Sequence, residues 1–247
     1  MTLLRRLEGS RLSVVERAWE GKVAVLLGGG ASLTHEQVVH VAAAHALGLV
    51  RCVAINDAYL LAPWADLLYF ADAHWWRWQR EGVAKEALDL SAEQVRERFA
   101  AFVGEICSIA FNEKSVTDNR VRFLRNLHGS VLGGGLSLEP TAIATGWNSG
   151  SQALNIATLA GAHVVLLLGF DGRPNAQGQT HWFGEHPRAT PQAFWEQMRR
   201  GMRAMESALK EQSVRVVNCS PGTYIDTFEK MELEGALKQF AYAAVAG

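Results

Sequence analysis

The stretch from Lys22 to Leu33, KVAVLLGGGASL, constrains this chain more than any other. An apolar run, Val23 to Leu27, empties into Gly28, Gly29 and Gly30, then Ala31 and Ser32, and a helical pattern starts near Thr34. Apolar residues that end in turn chemistry read as a buried strand. Glycines at its exit let the backbone approach a ligand. The next helix N-terminus offers unpaired N–H groups and a partial positive charge, a natural seat for phosphate. A nucleotide or phosphate site is therefore expected at the end of the first strand. The glycines do not form the full dinucleotide fingerprint, and no Lys-Ser/Thr pair of a P-loop follows. A tight strand-to-helix turn accounts for the same residues.

A chain of 247 residues can bury a sizeable core as one α/β domain, spanning 1–247. Apolar residues make up 49% and charged residues 20%, the balance of a globular protein. The formal net charge of −1 supplies no basic excess for holding a nucleic-acid backbone, so nucleic acid is not an expected partner. Cys52, Cys107 and Cys219 lie far apart without a ligand-like spacing and read as buried thiols. The first residues carry charges throughout, so neither a signal peptide nor a membrane span is expected, and a cytoplasmic location follows. A homo-oligomer is compatible with this composition.

Along the chain, Leu4, Leu7, Leu12, Val15 and Trp19 fit a short amphipathic helix over 1–20. His35 to Leu47 reads as a helix with Thr34 as N-cap and Gly48 as its end. Cys52 to Ile55 and Leu67 to Ala71 read as strands, closing at Asn56-Asp57 and at Asp72. Their spacing predicts a Rossmann-like, mostly parallel sheet with helices on both faces and ligands at its carboxyl edge. Trp75 to Gly82 and Ser91 to Glu105 read as helices, and Cys107 to Phe111 as a further strand. From 112 to 147 the pattern breaks down, and an irregular or lid-like insertion is expected. Asn148 opens a helix that ends at Gly161. His163 to Leu168 is a strong buried strand, closed by Gly169-Phe170-Asp171-Gly172. A helix over Thr190 to Glu211, a strand over Val214 to Asn218 and a helix over Met231 to Ala244 complete the reading.

Several of these segments, in this order, resemble the bacterial sialyltransferases with a Rossmann-like single domain. Gly28-Gly29-Gly30-Ala31-Ser32 is similar to their first glycine-serine loop, and Asn56 to the asparagine that closes their next strand. Asn148-Ser149-Gly150 through Gly169-Phe170-Asp171 resembles their Ser-Gly helix start and the strand after it. His181-Trp182-Phe183-Gly184-Glu185 is similar to their histidine segment. The same framework also looks like the hydroxymethyl-dihydropterin pyrophosphokinases and related phage-encoded proteins.

The first resemblance implies a nucleotide-sugar-dependent glycosyltransferase. Gly28, Gly29, Gly30, Ser32, Asn56, Asn148, Ser149, Gly150 and Asp171 would line the donor site. His181 would be the general base toward a small-molecule or glycan acceptor, with no metal cofactor, and an imidazole suits that task. His186 is a rival for that role. The bacterial enzymes use a tyrosine pair in the middle segment. Residues 107–147 contain no tyrosine, which leaves Arg120, Arg122 and Arg125 as phosphate candidates. The second resemblance implies an ATP- and Mg²⁺-dependent transferase with Asp72 and Asp171 as metal ligands. A strand-end Asp72 is also an ordinary helix cap. A third reading is a nucleotide-binding protein without catalysis.

Overall fold

The computed structural model describes residues 2–127, 135–184 and 191–243. Its centre is the strand expected from the glycine-terminated run, β3 (Val23–Leu27), fully buried along its length. The strands β4 (Val50–Ile55), β5 (Leu67–Tyr69), β6 (Glu105–Ile109), β7 (Val121–Leu127) and β8 (Ala142–Ala144) follow outward from one side of β3. On its other side lie β9 (Val164–Leu168), β10 (Arg215–Asn218) and β11 (Glu229–Lys230). The nine strands run in the order β11-β10-β9-β3-β4-β5-β6-β7-β8, and each pairing is parallel. A sheet covered on both faces explains why β3 and β9 read as unbroken apolar runs. The fold is α/β and Rossmann-like.

Alternate residues of the central strands feed two cores. Val23, Val25 and Leu27 face α1 (His35–Ala46), α2 (Ala73–Glu81), α3 (Ala92–Ala101) and α7 (Leu233–Leu237). Ala24 and Leu26 face α4 (Ser149–Leu159), α5 (Gln192–Arg203) and α6 (Glu206–Glu211). Local chemistry sets several boundaries as expected. Thr34 caps α1 in a reciprocal box with Gln37, and Ser91 does the same for α3 with Gln94. Asp72 caps α2, accepting from the His74 N–H at 2.7 Å.

Other expectations are corrected. Residues 1–20 do not form a helix: β1 (Leu4–Arg6) pairs antiparallel with β2 (Ser13–Val15). Gly9, at φ +67°, turns the chain, and Leu4 and Val15 reach the second core from extended backbone. The stretch 112–147 is not irregular throughout, because β7 and β8 join the sheet, while residues 128–134 lie outside the described residues. The expected helix over Thr190 to Glu211 is two, α5 and α6, and its first residue lies outside the described residues. The closing helix is shorter than expected: α7 passes into a wider π-type turn at Lys238–Tyr242. No helix among the described residues is long and apolar enough to cross a membrane.

Candidate functional site

The helix after β3, α1, and the helix after β9, α5, lie on opposite faces of the sheet, so the strand order reverses between β3 and β9 at the carboxyl edge. Such a switch point is where open α/β sheets leave a crevice. A cleft of ≈ 650 Å³ opens there, extending across the strand ends from Asp171 and Gly172 to Phe111 and Asn126. Gly28, Gly29, Gly30, Asn56, Asp72, Asn148, Ser149, Gly150, Asp171 and His181 all line it. Ser32 does not.

The glycine loop is first a packing device. The N–H groups of Gly28 and Gly30 donate to the carbonyls of Leu168 and Gly169 at 2.7 and 2.9 Å. A Cβ on Gly30 would stand 2.6 Å from the Gly169 oxygen and 2.7 Å from Asp171 Cγ. Ser32 completes the lock: its N–H donates to Asp171 Oδ2 at 2.9 Å, and its hydroxyl donates to Oδ1. Burial pushes the Asp171 carboxyl above its ordinary range, and the hydrogen bonds from Ser32 and Ala31 offset only part of that. The N-terminus of α1, closed by its own capping box, does not line the cleft.

Among the described residues, three α-helix N-termini do reach the cleft, those of α2 at Asp72, α5 at Pro191 and α4 at Asn148. Asn148 Oδ1 accepts from the Ser151 N–H at 2.8 Å, and its Nδ2 donates to the Gly146 carbonyl at 2.9 Å. Ser149 and Gly150, the first two helical residues, form part of the cleft wall. First-turn N–H groups have no partner within a helix and carry its positive pole, which suits an anion. The approach is unusual: Gly146 and Trp147 both have left-handed backbone, at φ +49° and +54°. For tryptophan this is an uncommon conformation, and such outliers concentrate at functional sites. It leaves the Trp147 ring in the cleft wall, 39% exposed. Asn56, at φ +52°, is the other left-handed residue of the wall, among those described, that is not a glycine.

His181 stands over the glycine loop, its Cδ2 3.2 Å from where a Gly29 Cβ would be. The Trp182 N–H donates to the Gly29 carbonyl at 3.2 Å, and the Trp182 indole N–H donates to the Gly28 carbonyl at 3.3 Å. His181 Nδ1 and Thr180 Oγ1 are 2.7 Å apart, and Phe183 stacks on the imidazole at 4.8 Å. With Nδ1–H donating to Thr180, Nε2 carries the lone pair a base requires.

The half of the cleft beyond Asn56 was not foreseen. Phe111, 80% exposed, follows β6 and faces this half with Trp75, Asn126, Thr145 and Gln152. Gln152 Oε1 accepts from the buried Tyr69 hydroxyl at 2.9 Å. The Trp75 indole N–H and Asn126 Oδ1 are buried without a hydrogen-bond partner. Native interiors rarely leave such groups unsatisfied, and both residues form part of the cleft wall. Nothing local in the sequence marks these residues, since strand order alone assembles them.

Some candidates lie elsewhere. Arg120 pairs with Asp118, Arg122 donates to the Asn119 carbonyl, and Arg125 pairs with Glu139; none lines the cleft. The expectation that these three arginines bind phosphate there is overturned by their places on and around β7. Glu185 and His186 lie outside the described residues. Among the described residues, no group of three or more His, Cys, Asp or Glu side chains is arranged to hold a metal ion. The cysteines are buried free thiols, as expected. No protein-family model matches the chain, and no curated protein sequence matches it.

Proposed function

We propose that the cleft binds a nucleotide-sugar donor and that the protein is a metal-independent glycosyltransferase of the sialyltransferase-like kind, with His181 as general base. The observation that carries this reading is convergence on one cleft: the α4 N-terminus at Ser149 and Gly150, with His181 above the glycine loop. The first-turn N–H groups of α4 would hold the donor's phosphate. His181 Nε2 would take the proton of an acceptor hydroxyl as its oxygen bonds to the sugar's anomeric carbon. The bond from that carbon to the phosphate oxygen breaks, and the nucleotide leaves with the electron pair. The helix pole stabilises the charge that develops on it. The exposed rings of Trp147 and Phe111 suit an acceptor with an apolar face.

The Mg²⁺-dependent reading would employ Asp72 and Asp171. Both Asp171 oxygens accept from Ser32, and Asp72 caps α2, so each carboxylate already has structural work.

The first test is thermal unfolding with CMP, CMP-sialic acid, UDP- and GDP-sugars, ATP and GTP, each with and without Mg²⁺. A ligand at a hundred times its Kd stabilises by about 2.7 kcal/mol, and for a chain of this size that raises Tm by roughly 5 °C or more. Stabilisation by cytidine nucleotides without Mg²⁺, with donor hydrolysis falling about 10²–10⁴-fold in His181→Ala, is the expected result. Stabilisation by ATP only with Mg²⁺ would replace this reading. No shift with any nucleotide would sink it.

A further inference from the structure

In the cleft wall, at Asp57, begins a charged pair that the proposed chemistry does not use. Lys85 Nζ is 3.0 Å from Asp57 Oδ1, with side chains only 6% and 2% exposed. Gln79 Nε2 donates to the same carboxylate oxygen at 3.2 Å, and the Tyr59 hydroxyl donates to Gln79 Oε1 at 2.9 Å. Lys85 is fixed from behind, because its N–H and carbonyl pair with the carbonyl and N–H of Leu90 at 2.9 and 3.1 Å. Its ammonium stands 4.9 Å from the centre of the Phe183 ring. That ring is the one stacked on His181, with planes 29° apart.

A buried ion pair seldom stabilises a fold more than an apolar pair of the same shape would, so its presence calls for a role beyond stability. An apolar side chain at position 85 could fill the space beneath Phe183. It could not attract the face of the ring, which is what a cation does. The Trp182 bonds to Gly28 and Gly29 hold the loop backbone; Thr180 Oγ1 fixes the Nδ1 edge of the imidazole, and the stacked Phe183 ring sets its rotation about that contact. We infer that Lys85 is a positioning residue for His181: its ammonium, anchored by Asp57, sets the plane of Phe183 and so the plane of the imidazole. This rests on the reading of His181 as the base.

The test is the proton NMR spectrum of histidine rings, with the His181 signal assigned by its loss in His181→Gln. Phe183→Leu gives the position of that signal without the stacked ring. The double variant Asp57→Asn/Lys85→Met removes the pair without stranding a buried charge. Its His181 signal is expected to move to the Phe183→Leu position, whereas Lys85→Arg, which keeps a cation, retains the wild-type position. If the double variant does not fold, Asp57→Asn/Lys85→Gln, which keeps a neutral hydrogen-bonding pair, is read the same way. A His181 signal that stays at the wild-type position when the cation is gone overturns the inference, as does one that Phe183→Leu fails to move. Donor hydrolysis by His181→Ala tests the base reading separately. Full activity there with the expected NMR shifts would leave the positioning and remove the base.

Discussion

Ser32 and Asp171, 139 residues apart in sequence, are joined by two hydrogen bonds in which the main-chain N–H and the hydroxyl of Ser32 both donate to one carboxylate. Through them the loop after β3 is fastened to the loop after β9. The carboxylate is buried, so the fastening has a pH signature. Burial raises the Asp171 pKa above 3.8 in the folded chain. The folded state then binds more protons than the unfolded one, and stability is lost as the pH rises through the folded value. The advantage of wild type over Asp171→Asn in urea unfolding is expected to be largest below pH 3.8 and to shrink as the pH climbs through the carboxylate range. Asp118 provides the opposite sign. Burial pushes it up, yet hydrogen bonds and charge from Arg120 leave it net below 3.8. The advantage of wild type over Asp118→Asn should therefore be present above pH 3.8 and vanish in stronger acid.

Gly30→Ala tests the packing role of the glycine loop. The added carbon meets a carbonyl at 2.6 Å and the Asp171 carboxyl carbon at 2.7 Å, and neither can yield without opening the lock. A loss of about 1–3 kcal/mol is expected in chemical denaturation, typical of overpacking. At Gly48 (φ +71°) nothing stands within 4 Å of the added carbon, so alanine should cost only the backbone strain, roughly 1 kcal/mol.

Asn148 allows capping and ligand binding to be separated. Asn148→Ala should lose about 0.5–2 kcal/mol, the usual cost of removing an N-cap acceptor. Asn148→Asp keeps the acceptor but places a negative charge beside Ser149 and Gly150. It also loses the Nδ2 donation to the Gly146 carbonyl and sets a carboxylate oxygen against it, so about 1–3 kcal/mol of stability should be lost. Calorimetric affinity for CMP should fall roughly tenfold or more below that of Asn148→Ala, equivalent to about 1.4 kcal/mol.

The thiols report on the core. Burial pushes Cys52 and Cys107 well above the usual thiol range and Cys219 up to about 12. Since the thiolate is the reactive form, an aromatic disulfide reagent near neutral pH should label none of them rapidly in the folded protein. All three should react at once in denaturant.

What the sequence made legible was local. The run Val23 to Leu27, the Thr34 and Asn148 caps and the apolar stretch ending at Leu168 each carry their structure in neighbouring residues. The hairpin was missed because Leu4, Leu7, Leu12 and Val15 suit a helical face as well as two strands, and the register Leu4↔Val15 is a tertiary fact. β7 hid behind Arg122 and Arg125, charges that its place near the sheet edge tolerates. Half of the cleft was legible as strand ends. The other half brings Phe111, Asn126 and Trp147 together only through sheet order. The Asp57–Lys85 pair joins the end of β4 to the stretch between α2 and α3, and no sequence pattern links them.

The insertion of β3 between β4 and β9 also governs how the molecule comes into being. On the ribosome, Ser32 emerges 139 residues ahead of the carboxylate that will hold it. Until then the first half can assemble outward from β4, but the other side of β3 is a bare, apolar edge, the kind that invites association with foreign strands. Docking of β9 caps that edge and brings Asp171 to the glycine loop, before β10 and β11 add outside it and α5 completes the cleft wall. A nascent chain should therefore lose its exposed β3 edge before it gains competence for ligand, and a chaperone that shields that edge would also delay the birth of the site.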